Sequence, residues 1–155
     1  MKRSRQQSGH AVLELAFSAA VMMSCLGGAF EFGYTFHIYN QLLTAVGNGG
    51  RYAAMRTYRC ATANDIEKGR TAIRNMVVYG DPQPAADAIP VVAGLTPEQV
   101  GVTWVPGDFG DAPEAVDIKI THFPIEAAFG VVALDGRPAV EFPFVGRFAP
   151  AEQEP

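Results

Sequence analysis

The hydrophobic pattern changes period three times along the chain. Residues 11–30 (AVLELAFSAAVMMSCLGGAF) form an apolar run of 20 whose one charge is Glu14. That length matches a bilayer core of roughly 30 Å at about 1.5 Å per helical residue. Beyond it, Phe32, Phe36, Tyr39, Leu43, Val46, Gly50 and Ala53 recur alternately four and three apart, which predicts one stripe on a continuing helix. Gly47, Gly49 and Gly50 weaken that helix by roughly 1 kcal/mol each relative to alanine. The periodicity leaves open whether the helix runs through them. A second helix is predicted from Asn64 as N-cap, with Glu67 three residues on; Ile66, Gly69, Ile73, Met76 and Val77 lie on one face and Gly80 is the stop.

Residues 81–97 (DPQPAADAIPVVAGLTP) carry no period and read as a long surface connection. The period then becomes two. Val100, Val102 and Trp104 share one strand face, and Val116, Ile118, Ile120 and His122 share another, joined through PGDFGDAPE. Residues 131–134 and 138–144 read as a third and fourth strand around the two-residue turn Asp135-Gly136, with Pro143 confining the last to an edge. Residues 124–130 fit a helical turn or a loop. The expected class is α+β: a long N-terminal helix packed with a second helix and a small antiparallel sheet.

The charges orient the long helix. Lys2, Arg3 and Arg5 precede the apolar run with no acidic residue before Glu14, which by the positive-inside rule keeps that end in the cytoplasm. A secretory signal peptide has a shorter apolar core and a small-x-small cleavage site, of which Ser24-Cys25-Leu26 and Gly27-Gly28-Ala29 are weak versions. A plain single-pass anchor fits the length but leaves Glu14 unexplained, because a carboxylate deep in a spanning helix costs on the order of 2–3 kcal/mol.

The order basic tail, Gly9, His10-Ala11-Val12-Leu13-Glu14, apolar helix resembles the processing site of prepilins. That resemblance implies a cut after Gly9, leaving Glu14 fifth in the mature chain. The new amino terminus at His10 is a cation that Glu14 can pair with, in its own subunit or a neighbour, as helices bundle. A second block narrows the resemblance: Glu31-Phe32-Gly33-Tyr34, then Tyr39-Asn40-Gln41-Leu42, Ala45, and Gly49-Gly50-Arg51-Tyr52-Ala53-Ala54. Over residues 9–54 the chain resembles the TadE-like minor pseudopilins of the tight-adherence (Tad/Flp) pilus machinery. The family usually has alanine where this chain has Gly50, and His10 replaces the bulky apolar first residue of major pilins.

The resemblance implies a pilin-like, non-catalytic subunit that primes or caps a Tad pilus. It implies a cytoplasmic leader over residues 1–9, a transmembrane and stalk helix over 10–60, and a periplasmic α+β head over 61–155. The implied site is bacterial inner membrane, single-pass, with the head periplasmic. Implied partners are a prepilin peptidase, other Tad pseudopilins and pilin, and the inner-membrane Tad assembly platform. Gly9 and His10 are the processing residues. Glu14 and the stripe of Phe32, Phe36, Tyr39, Leu43, Val46, Gly50 and Ala53 are the assembly residues. Glu31, Phe32, Gly33, Asn40, Arg51, Tyr52 and Ala53 carry the family motif. A type II secretion minor pseudopilin shares Gly9 and Glu14, and an anchored envelope binding module is the alternative of another class.

The remaining chemistry is sparse. With 155 residues and a net charge of −4, the chain lacks the clustered cations of a nucleic-acid binder. Six basic residues against two acidic lie in residues 51–74, and three against twelve in 75–155, so a basic collar and an acidic head are separated within one subunit. Stacking of head on collar, contact of the collar with anionic lipid, and plain solvation all fit. Cys60 is a candidate for an intermolecular disulfide, too far along a straight helix from Cys25 to pair with it. His10, His37 and His122 make no metal spacing, and His122 reads as a core or rim histidine. Asp108, Asp111, Glu114 and Asp117 offer acidic ligands to calcium without the pattern of a dedicated loop. No nucleophile elbow, phosphate loop or dinucleotide fingerprint is present. The expected cofactor and metal content is none, and the chain reads as a peptidase substrate.

Overall fold

A computed structural model describes residues 4–55, 58–59, 63–106, 113–145 and 148–149. One helix, α1 (Ser4–Met55), runs 52 residues, or about 78 Å at about 1.5 Å per residue. It is long and apolar enough to cross a membrane, and its most apolar 18-residue window contains no buried residue. The helix passes through Gly47, Gly49 and Gly50 without a break. Tertiary packing overrides the low propensity there: Gly49 and Gly50 are both buried, and a Cβ at Gly49 would overlap Val77, one at Gly50 the ring of Phe142. Gly47 has nothing within 4 Å of where its Cβ would stand.

The head wraps the last third of α1. After the two-residue strand β1 (Tyr58–Arg59), α2 (Ala63–Tyr79) packs on α1 through Ile73, Val77 and Val78, all fully buried. Gly80 ends α2 at φ +73°, its N–H donating to the Met76 carbonyl at 3.0 Å, the left-handed stop expected of a helix-terminal glycine. Residues 81–96 lack regular structure, as expected, yet they are tied down. Val91 N donates to the Val78 carbonyl at 2.8 Å, and Val92 and Leu95 are each 1% exposed. The lack of a period hid two core residues.

After a short 3-10 turn, Pro97–Gln99, the strands β2 (Val100–Pro106) and β3 (Pro113–Ile120) pair antiparallel, with Val100 opposite Ile120, Val102 opposite Ile118 and Trp104 opposite Val116. The apolar positions of both strands therefore share one face, which covers α1 and α2 and forms the core. His122 does not extend that face. It lies past the strand at φ 53°, its side chain 85% exposed and 3.9 Å from Asp135, so it belongs to a corner rather than to the core.

The expected hairpin around Asp135-Gly136 does not form. The corner at His122 directs β4 (Phe123–Ala127) away from the core sheet, and β4 pairs with β5 (Gly130–Leu134). The residues that read as helical turn or loop thus hold a strand. β6 (Ala139–Pro143) pairs instead with β3, giving the order β2-β3-β6. Burial explains the partition: Val140 and Phe142 of β6 are half-buried in period two, whereas β5 has only Leu134, at its end, partly packed against the core. Pro143 stands on the edge strand, as its missing N–H requires. The parallel pair β1 with β7 (Phe148–Ala149) brings the end of the head back to the end of α1.

Candidate functional site

Residues 9–26 of α1 are all exposed. Gly9, His10 and Glu14 are among them, Gly9 with nothing within 4 Å of a would-be Cβ. A spacing of four places His10 and Glu14 on adjacent turns of one face. Glu14 has no ion-pair partner among the described residues, although it stands in the most apolar part of the chain. A carboxylate in that setting is stabilised by any cation brought close to it.

The predicted stripe divides. Val46, Gly50 and Ala53 are buried under the head and Tyr39 is half-buried, but Phe32 is 71%, Phe36 56% and Leu43 41% exposed. The face that α1 gives to the head passes through Ile38, Leu42, Ala45, Val46, Gly49 and Ala53. At about 100° per residue this line is rotated by roughly 80° from the predicted one. Both faces of the stalk are apolar, and spacing alone could not say which the head takes. The exposed one keeps Phe32 stacked on Phe36, with ring centroids 6.1 Å apart and planes 10° from parallel.

The motif residues take three kinds of place. Glu31 reaches across to the β4–β5 turn, where its carboxylate accepts the backbone N–H of Ala128 at 2.9 Å and of Phe129 at 3.1 Å. Tyr52 packs half-buried against the core and Ala53 is fully buried. Gly33, Asn40 and Arg51 point outward. The sequence marked Glu31 as a motif residue without its role, because its partners are backbone groups 97 and 98 residues away. Truncating it leaves two turn donors without their acceptor, each worth about 1.5–3 kcal/mol to a charged group. Glu31→Ala is therefore expected to raise amide hydrogen exchange at Ala128 and Phe129 by tenfold or more, while the β2–β3 amides keep their protection.

The collar cations are partly committed within the head. Glu67 pairs with Arg70 at 3.5 Å and with Arg74 at 3.2 Å, and Arg74 Nε donates to the Val100 carbonyl at 3.2 Å. Arg51 stays exposed. Of the four calcium candidates, Asp108 and Asp111 lie outside the described residues. Glu114 and Asp117 are three apart on β3, hence on opposite faces, so these two do not converge. Among the described residues no group of three metal-ligating side chains assembles. Cys25 is exposed on α1, and Cys60 lies outside the described residues.

With this geometry in hand, comparison with known families gives one result. The family model described as TadE-like protein matches residues 9–51, from Gly9 through Glu14, the Glu31 block and Asn40 to Arg51. No curated protein and no solved structure gives a significant match. The matched segment is the exposed apolar helix together with the stalk that carries both the Glu31 tie and the stacked phenylalanines.

Proposed function

We propose that this chain, TadE-like over its anchor and stalk, is a minor pseudopilin that helps to prime or cap a Tad pilus. It sits in the inner membrane by α1, with the amino terminus cytoplasmic and the head periplasmic. A prepilin peptidase removes the leader after Gly9, and the shortened helix then bundles with those of other Tad pseudopilins or pilin on the assembly platform. The observation that carries this reading is Glu14: an exposed carboxylate in an apolar helix, without an ion-pair partner among the described residues, five residues after Gly9 and inside the TadE-like segment. The exposed Phe32, Phe36 and Leu43 face supports it as a second bundling surface.

In this reading the protein acts by assembly. The cost of holding Glu14 in lipid, about 2–3 kcal/mol, is recovered when it meets the His10 ammonium group of a neighbour. Glu14→Ala should insert and be cut as wild type does, but partner subunits should co-purify at least roughly tenfold less well, since a loss of about 1.4 kcal/mol already changes an equilibrium tenfold. Equal recovery of partners with mutant and wild type would remove Glu14 from the assembly role.

A further inference from the structure

The β4–β5 hairpin buries its base and leaves its tip apolar. Phe123 and Ile125 of β4 are 3% and 2% exposed, whereas Phe129 is 77%, Val131 65% and Val132 44% exposed. Val131 and Val132 are neighbours on a strand, so their side chains point to opposite faces. Val132 continues the inner face of Ile125, whereas Val131 stands directly opposite the exposed Glu126 on the outer face; residues 127–134 themselves hold no charge. A strand whose one inward residue is Leu134, at its end, and which carries three large exposed apolar side chains around its turn, marks a surface made for an apolar partner.

The position of the tip identifies that partner. Phe129 lies over Gly27 of α1, where a Cβ would come within 3.1 Å of the Phe129 Cε2 and Cζ atoms. Gly27 is inside the apolar run of residues 11–30, three residues before its end, hence about 5 Å deep at about 1.5 Å per residue. Val132 borders the same shallow depression as Ser24, Gly28 and Phe32. If α1 crosses the bilayer along that run, the tip shares its depth, in the boundary layer where Phe30, Phe32, Tyr34 and Phe36 also stand exposed. The Glu31 tie fits this location. Turn N–H groups taken out of water need acceptors, and the Glu31 carboxylate supplies one to Ala128 and one to Phe129.

We propose that the β4–β5 tip is a second membrane contact: Phe129, Val131 and Val132 insert into the outer interfacial layer of the lipid bilayer beside α1 and hold the head against it. The proposal rests on α1 spanning the membrane, and the test separates the two. The single tryptophan of the chain, Trp104, is replaced by Phe, and one reporter at a time is introduced into the full chain as Phe129→Trp, Val131→Trp, Phe17→Trp or Ile89→Trp. Each protein is reconstituted in phosphatidylcholine–phosphatidylglycerol vesicles whose acyl chains are brominated at a shallow or a deep position. Residues 129 and 131 should lose at least about half their fluorescence to the shallow label, residue 17 a similar share to the deep one, and residue 89, 84% exposed on the connection after α2, clearly less to either label. Quenching at 17 without quenching at 129 would place the tip in water or against another subunit and overturn the proposal. No quenching at 17 would remove the membrane-spanning helix and the proposal with it. Should Phe129→Trp fail to reconstitute, Val131→Trp gives the same reading.

Discussion

Gly49→Leu is expected to cost about 3 kcal/mol, a large share of the roughly 5–15 kcal/mol that holds a domain of this size together. Helix propensity alone predicts the opposite sign, since leucine is a far better helix former than glycine. The packing decides. A Cβ at Gly49 already overlaps Val77, which is fully buried, and it stands 3.7 Å from Ile118 Cδ1 in the middle of the core sheet. Neither neighbour has solvent to move into, so the stalk must separate from α2 and β3. Gly47→Ala supplies the internal control: nothing lies within 4 Å of its Cβ, so it should gain up to about 1 kcal/mol of helix propensity. Thermal unfolding in detergent should show Gly49→Leu lowered by roughly 10–20 °C and Gly47→Ala equal to or above wild type. An unchanged midpoint for Gly49→Leu would mean that α1 is not seated on Val77.

Under the proposed cut after Gly9, Gly9→Leu is expected to abolish processing altogether. Gly9 lies within α1, and a peptidase can reach its carbonyl only if the helix locally unwinds into an extended strand. Glycine lowers the cost of that opening by roughly 1 kcal/mol relative to a good helix former and leaves the scissile backbone free of a side chain. Leucine removes both advantages while keeping the segment apolar, so insertion should be unchanged and the leader retained. Normal cleavage of Gly9→Leu would show that the cut is elsewhere.

The elements were legible wherever one periodicity served one partner. The β2–β3 register follows from alternation alone, and the end of α2 from a single glycine. The orientation of the stalk is not legible in spacing, because its residues satisfy two apolar lines, one buried under the head and one largely exposed, and spacing cannot rank them. Continuity through Gly47, Gly49 and Gly50 was undecidable from propensity because the compensating contacts, Val77 and Phe142, lie far away in the chain. The Asp135-Gly136 turn signal is sound as a local bend, but strand partners depend on which faces can be buried, and β5 offers only Leu134. At the candidate site, Gly9, His10 and Glu14 were readable as a motif. Phe129 was not, because an apolar residue in an ambiguous segment has meaning only once the hairpin brings it to Gly27.

The central claim is that this chain becomes an assembly subunit through loss of its leader. The most direct measurement is the amino-terminal sequence of the membrane-extracted protein, expressed with and without its cognate prepilin peptidase. A start at His10 when the peptidase is present, and only then, is the predicted result. A start at Met1 in both preparations would contradict the account and leave an anchored envelope protein, and a start near residue 30 would contradict it differently, by discarding Glu14 with a signal peptide.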